Sequence, residues 1–104
     1  MLEKKNDINT KFGGAFWDTL NLFIQDNDCD FIFEFVNRLP CDDCKRRFFR
    51  CIKHKSYNFN NKNKNEIRRL LWSIRCDQDP KYKDKDTTED FNNYMKFLLI
   101  QVQE

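Results

Sequence analysis

The stretch Leu39-Pro40-Cys41-Asp42-Asp43-Cys44-Lys45-Arg46-Arg47-Phe48-Phe49 decides how the rest of the chain is read. Two cysteines stand three positions apart, directly after a proline and at the head of a helical pattern. Proline lacks an N–H and is tolerated only at or before a helix's first turn, so Pro40 ends one helix and opens the next. Cys41 is then expected in that first turn, where unpaired N–H groups and the positive end of the helix dipole favour an anion. A thiolate is such an anion, so the placement lowers its pKa and makes it a better nucleophile. Cys44 lies one turn on, on the same face, within reach of a short disulfide. The spacing suits redox chemistry. It also suits half of a zinc site.

Working outward, the apolar residues recur at helical spacing on both sides of this stretch. Before it, Phe16, Trp17, Leu20, Phe23 and Ile24 predict a helix from Gly13-Gly14 to about Asp26, after a polar arm over 1–12. Asn27-Asp28 breaks that helix and can cap the next, about 29–39, which carries Phe31, Ile32, Phe35, Val36 and Leu39. Phe33 falls off this face and is expected to make a second contact. The third helix is expected over about 41–53, with Cys44, Phe48, Cys51 and Ile52 inward. His54 to Asn65, rich in Asn and Lys, reads as a solvated loop. A fourth helix over about 65–76 offers Ile67, Leu70, Leu71, Trp72 and Ile74. After a second loop containing Asp79-Pro80-Lys81-Tyr82, Thr87 or Thr88 caps a final helix with Phe91, Tyr94, Met95, Leu98, Leu99 and Val102 as its stripe. The expected fold is all-α: a five-helix bundle in one domain over 1–104, with the cysteine pair at a helix N-terminus.

Composition supports this. Eleven Phe and two Trp against two Gly and two Pro argue for helices joined by polar loops, not for a sandwich or barrel. The net charge of +2 gives no global pull toward nucleic acid or a membrane surface. Met1 to Asp7 has no apolar run behind it, so no secretory signal is expected. No run approaches the ~18 apolar residues that a membrane span needs. The expectation is a soluble, cytoplasmic protein, in which five cysteines serve catalysis or metal binding sooner than a structural disulfide framework.

Three readings of the cysteine pair stand side by side: a redox dithiol, a zinc site and two buried structural thiols. The zinc reading uses Cys41, Cys44, Cys51 and His54 in a Cys-x2-Cys-x6-Cys-x2-His pattern, as an interaction module. It meets a geometric difficulty, since a continuous helix puts Cys51 two turns, ~10 Å, beyond Cys44. A thioredoxin-like fold is disfavoured, because no strand precedes the motif.

A second stretch, Phe12-Gly13-Gly14-Ala15-Phe16-Trp17-Asp18-Thr19-Leu20-Asn21, resembles the first-helix signature of the Erv/ALR family of FAD-linked sulfhydryl oxidases. That signature runs Trp-Gly-x-x-x-Trp-x-x-Leu-His, and Gly13, Trp17 and Leu20 match it in register. The Leu39-Pro40-Cys41-x-x-Cys44 stretch follows at a family-like distance, and the resemblance covers about residues 12–82. Layout and the Asp79-Pro80-Lys81-Tyr82 run look closest to the small virus-encoded, poxvirus-like members. The resemblance implies a helical bundle holding FAD, with the disulfide beside the flavin ring. It implies that Cys41 is the outer sulfur exchanging with a client or relay dithiol, and Cys44 the inner sulfur passing electrons to FAD. Oxygen then takes the electrons and yields hydrogen peroxide. The implied cofactor contacts are Phe12, Gly13, Trp17, Asn21, Cys44, Phe48, Trp72, Arg75, Lys81 and Tyr82.

The chain departs from the signature in places. Phe12 stands for a Trp, Asn21 for a His, and Ser73 to Gln78 replaces a His-Asn-x-Val-Asn motif that clasps the adenine end. Trp72 is a candidate to stack on an adenine and Arg75 to meet a phosphate; the plainer reading of Trp72 is core packing. A degenerate member that keeps the bundle as a scaffold is therefore a further alternative. Family members dimerise through their first helices, and Phe33 would suit such a surface. The basic run Lys45 to Lys55 reads as a solvated face or an acidic-partner surface rather than a nucleic-acid site.

Overall fold

The computed structural model describes residues 12–102. Among them are five α-helices: α1 (Gly14–Phe23), α2 (Cys29–Asn37), α3 (Asp42–Lys55), α4 (Lys64–Gln78) and α5 (Thr88–Val102). A 3-10 turn, Pro80–Tyr82, follows α4. No strand occurs among the described residues. The all-α bundle is therefore the fold, with the cysteine pair at the head of α3.

The helices bury most of the stripes their spacing marks, with Phe23 of α1 and Leu99 of α5 left exposed. α1 turns Phe16, Trp17 and Leu20 inward, α2 Ile32 and Val36, α3 Cys44, Phe48 and Cys51, and α4 Ile67, Leu71 and Ile74. Phe59, from the connection between α3 and α4, closes the same core. Burying one such large apolar side chain is worth about 1.5–3 kcal/mol, more than any single cap, so the core and not local propensity holds the helices.

The helix starts follow from side-chain caps. Asp28 accepts from the Phe31 N–H at α2, and Asn63 with Glu66 forms a reciprocal capping box at α4. α1 differs: Gly13 precedes it at φ 63° and ψ −156°, with no side-chain cap and no acidic residue in the first turn. That backbone region is essentially glycine's own.

Several boundaries shift from the sequence reading. α1 stops at Phe23, three residues early, and leaves that ring 63% exposed, because Ile24 turns extended to enter the core. α3 runs on to Lys55, so His54 is an exposed helical residue rather than part of a loop. α4 continues to Gln78, which carries Asp77 and Gln78 into the helix. Phe33, expected to make a second contact off the main face of its helix, packs against Phe49 at 5.8 Å and Phe59 at 6.0 Å. The expected arm over 1–12 lies outside the described residues save for Phe12. No helix among the described residues is long and apolar enough to cross a membrane.

Candidate redox site

Cys41 and Cys44 form a disulfide, with their Cα atoms 5.3 Å apart. Pro40 cannot extend α2, and Cys41 serves as the N-cap of α3 rather than standing in its first turn. Its sulfur accepts the otherwise unpaired N–H of Cys44 at 3.3 Å. An Sγ so placed faces the positive end of the α3 dipole, which favours negative charge on it after reduction. The two sulfurs are not equivalent. Cys44 is wholly buried, whereas Cys41 is part exposed.

Charge around this end is locally balanced. Asp42 and Asp43 occupy the first turn, where the dipole welcomes them, and pair with Lys45 at 3.2 Å and Arg46 in a 2.6 Å hydrogen bond. Both pairs are largely exposed and contribute little to stability.

The ring centroids of Trp17 and Phe48 lie 6.4 Å apart, and both residues belong with Cys44 to one buried cluster. A second group of expected site residues gathers around Arg75. Trp72, Arg75 and Tyr82 come together, with Arg75 at 4.7 Å over the Tyr82 ring and 5.9 Å over Trp72. Arg75 Nη2 donates to Tyr82 Oη at 3.3 Å, and a Cβ on Gly14 would lie 3.5 Å from the same nitrogen. The guanidinium is thus seated on the uncapped start of α1. Arg75 is buried as a whole, at 8% exposure, and its Nε has no hydrogen-bond partner.

Asn21 is buried between these groups. Its Nδ2 donates to the Trp17 carbonyl at 2.7 Å, its own carbonyl accepts from Arg68 Nε at 2.9 Å, and its Oδ1 is left without a partner. Tyr94 and Asp18 complete the arrangement, and the sequence reading placed neither of them at a site. Tyr94 Oη donates to Asp18 Oδ1 at 2.6 Å, and its ring stacks on Trp72 at 5.1 Å and 25°. Burial and this bond push the Tyr94 hydroxyl pKa upward. The helical spacing of Tyr94 marked it as buried; its contact with a residue 76 positions away left no local signal.

Other expected residues are not brought in. Phe12 lines an apolar groove of about 240 Å³ between α1 and α2, with Phe16, Phe35 and Leu39. Lys81 is exposed, and its backbone N–H bonds Asp79. A cleft of about 410 Å³ lies at the C-terminal end of α4 among Tyr57, Cys76, Asp77 and Gln78, and neither Cys41 nor Cys44 lines it.

The zinc set does not assemble. Cys51 follows Cys44 along a continuous α3, and its thiol donates to Asp77 Oδ2 at 3.1 Å instead. Among the described residues no group of three or more His, Cys, Asp or Glu side chains is placed to hold a metal ion. Cys29, Cys51 and Cys76 are free thiols, and Cys51 and Cys76 are buried. Burial and Asp77 push the Cys51 thiol up to about 12, and burial does the same for Cys76.

No protein-family model, no curated protein and no solved structure matches this chain.

Proposed function

We propose that the protein is a thiol oxidase that makes disulfides in client or relay proteins, using Cys41 and Cys44 as its exchange pair. The observation that carries this reading is the asymmetric disulfide at the head of α3, with one sulfur reachable and the other sealed. A client thiolate attacks Cys41 Sγ, the Cys41–Cys44 bond breaks, and Cys44 leaves as the thiolate. The client's second thiolate then attacks its own sulfur in the mixed disulfide. The client leaves oxidised, and Cys41 and Cys44 are left reduced. The Cys44 N–H and the α3 dipole stabilise the Cys41 thiolate released in that second step.

The group around Arg75, apart from the pair itself, supports a place for the nucleotide half of FAD. A buried guanidinium with an unpartnered Nε, the uncapped start of α1 and flanking aromatic rings form a donor set for a phosphate-linked ring. Arg75 and the first turn of α1 would hold the phosphates, with Trp72 beside the adenine, while Trp17 and Phe48 share the buried cluster of Cys44. FAD would supply a two-electron acceptor that returns the pair to the disulfide state at the expense of oxygen, giving hydrogen peroxide.

The test is turnover of a dithiol with oxygen consumption and flavin absorbance followed together. Cys44→Ser should abolish turnover and leave bound FAD in place, while Cys51→Ser should be nearly silent. Full turnover by Cys44→Ser would refute the assignment. Absence of flavin binding together with dithiol exchange would leave a thiol carrier, and absence of both would leave the bundle as a scaffold.

A further inference from the structure

We propose that α5 is a displaceable cover over the nucleotide side of the site, with Tyr94 lying on the face of Trp72 that an adenine would stack on. The inference rests on the cofactor reading above and concerns how that site is regulated. Tyr94 and Trp72 are nearly parallel at 25°, the arrangement that a base adopts on an aromatic platform. Tyr94 also lies 5.3 Å beneath the Arg75 guanidinium, so one side chain covers both the ring platform and the cation. Its hydroxyl is latched to Asp18 on α1. Ring and nucleotide cannot share the Trp72 face.

The hold of α5 on the bundle is shallow. Among its described side chains Met95 and Leu98 are the buried apolar ones, whereas Phe97 at 58% and Ile100 at 55% face solvent. The connection ahead of it is anchored separately, by Trp72 Nε1 donating to the Lys85 carbonyl at 2.8 Å and by the Arg69–Asp86 pair at 2.7 Å. Those bonds keep the indole oriented when Tyr94 leaves it. They also place the pivot after Asp86, at Thr87, where the side-chain cap of the helix begins. A nucleotide that binds only the undocked form binds with an affinity reduced by the undocked fraction. α5 thereby sets how much FAD the chain holds.

The full chain is titrated with FAD and, separately, with riboflavin, which lacks the adenine nucleotide. Flavin fluorescence reports binding, and amide hydrogen exchange over 88–100 reports docking of α5. FAD should lower α5 protection and riboflavin should not. Tyr94→Phe, which loses only the latch to Asp18, should tighten FAD binding by about threefold, and Tyr94→Ala by about tenfold. Riboflavin affinity should be the same in all three chains. Tyr94→Phe keeps the ring in the core, so it carries the test if Tyr94→Ala does not fold. FAD binding with α5 protection retained or increased would overturn the cover alone, as would weaker FAD binding by both variants. Failure of the wild type and both variants to bind FAD would overturn the cofactor reading and the cover with it. FAD binding by the variants but not by the wild type would establish the cover in its strongest form.

Discussion

Gly13 sits at φ 63° and ψ −156°, and a Cβ built on it would meet nothing within 4 Å. The need for glycine there is a matter of backbone and not of space. Gly13→Ala should therefore cost about 1–3 kcal/mol in urea unfolding without disturbing any neighbour. The cysteines differ as sharply from one another. Cys41 has a part-exposed sulfur held by a helix N-terminus, whereas Cys51 and Cys76 are buried thiols pushed up to about 12. With the pair reduced at pH 8, iodoacetamide should label Cys41 first. Cys51 and Cys76 should stay unlabelled until denaturant is added, as mass mapping of the peptides will show. Burial thus separates the exchangeable Cys41 from Cys51 and Cys76, a difference that spacing alone does not show.

At the scale of elements, the ends of the helices carry distinct local energies. The Asn63–Glu66 box satisfies the start of α4 in both directions, with bonds of 2.9 and 3.0 Å. Asn63→Ala should cost about 1 kcal/mol in chemical denaturation, the usual worth of a cap. α3 ends in the opposite way, on Ser56 in the left-handed region at φ 56°. Glycine adopts that conformation without strain, so Ser56→Gly should raise stability by about 0.5–1 kcal/mol. α5 has a polar side-chain cap, Thr87 to the Asp90 N–H at 3.1 Å, and comparatively little buried apolar surface. Tyr94, Met95 and Leu98 seat it on the bundle, and of these only Tyr94 adds a hydrogen bond to α1.

For the whole molecule, the buried thiols make stability depend on pH with a definite sign. Cys51 and Cys76 keep their protons in the folded chain to about pH 12, against an ordinary value of 9.0. Below pH 9 their contribution is fully present. Above it the unfolded chain releases protons that the folded chain retains, so stability falls as pH rises through the window from 9 to 12. Tyr57 and Tyr94, both shifted upward, act in the same sense at the alkaline end. The urea midpoint should drop between pH 8 and pH 10.5, and replacing both Cys51 and Cys76 by Ser should flatten part of that drop. A midpoint unchanged across this range would show that the two thiols ionise freely in the folded state.

The helices and the cysteine pair were legible in the chain itself. Phe16, Trp17 and Leu20, or Ile67, Leu71 and Ile74, repeat at the period of one turn, and a helix needs no distant partner to express that period. Pro40 marked the start of α3 because a missing N–H acts locally, although the structure moved Cys41 from the first turn to the cap. Boundaries were less legible, as with α3 running through His54, since frayed ends are settled by packing and not by periodicity. What only the tertiary structure decided is which stripes meet. It set Phe33 on Phe49 and Phe59, Cys51 on Asp77, and Arg75 on the first turn of α1. Most of all it laid Tyr94 over Trp72 and bonded it to Asp18. A helical period says that a side chain is buried, but not against what. The partner is selected by the shape and hydrogen bonding of surfaces that come together only when the whole core closes.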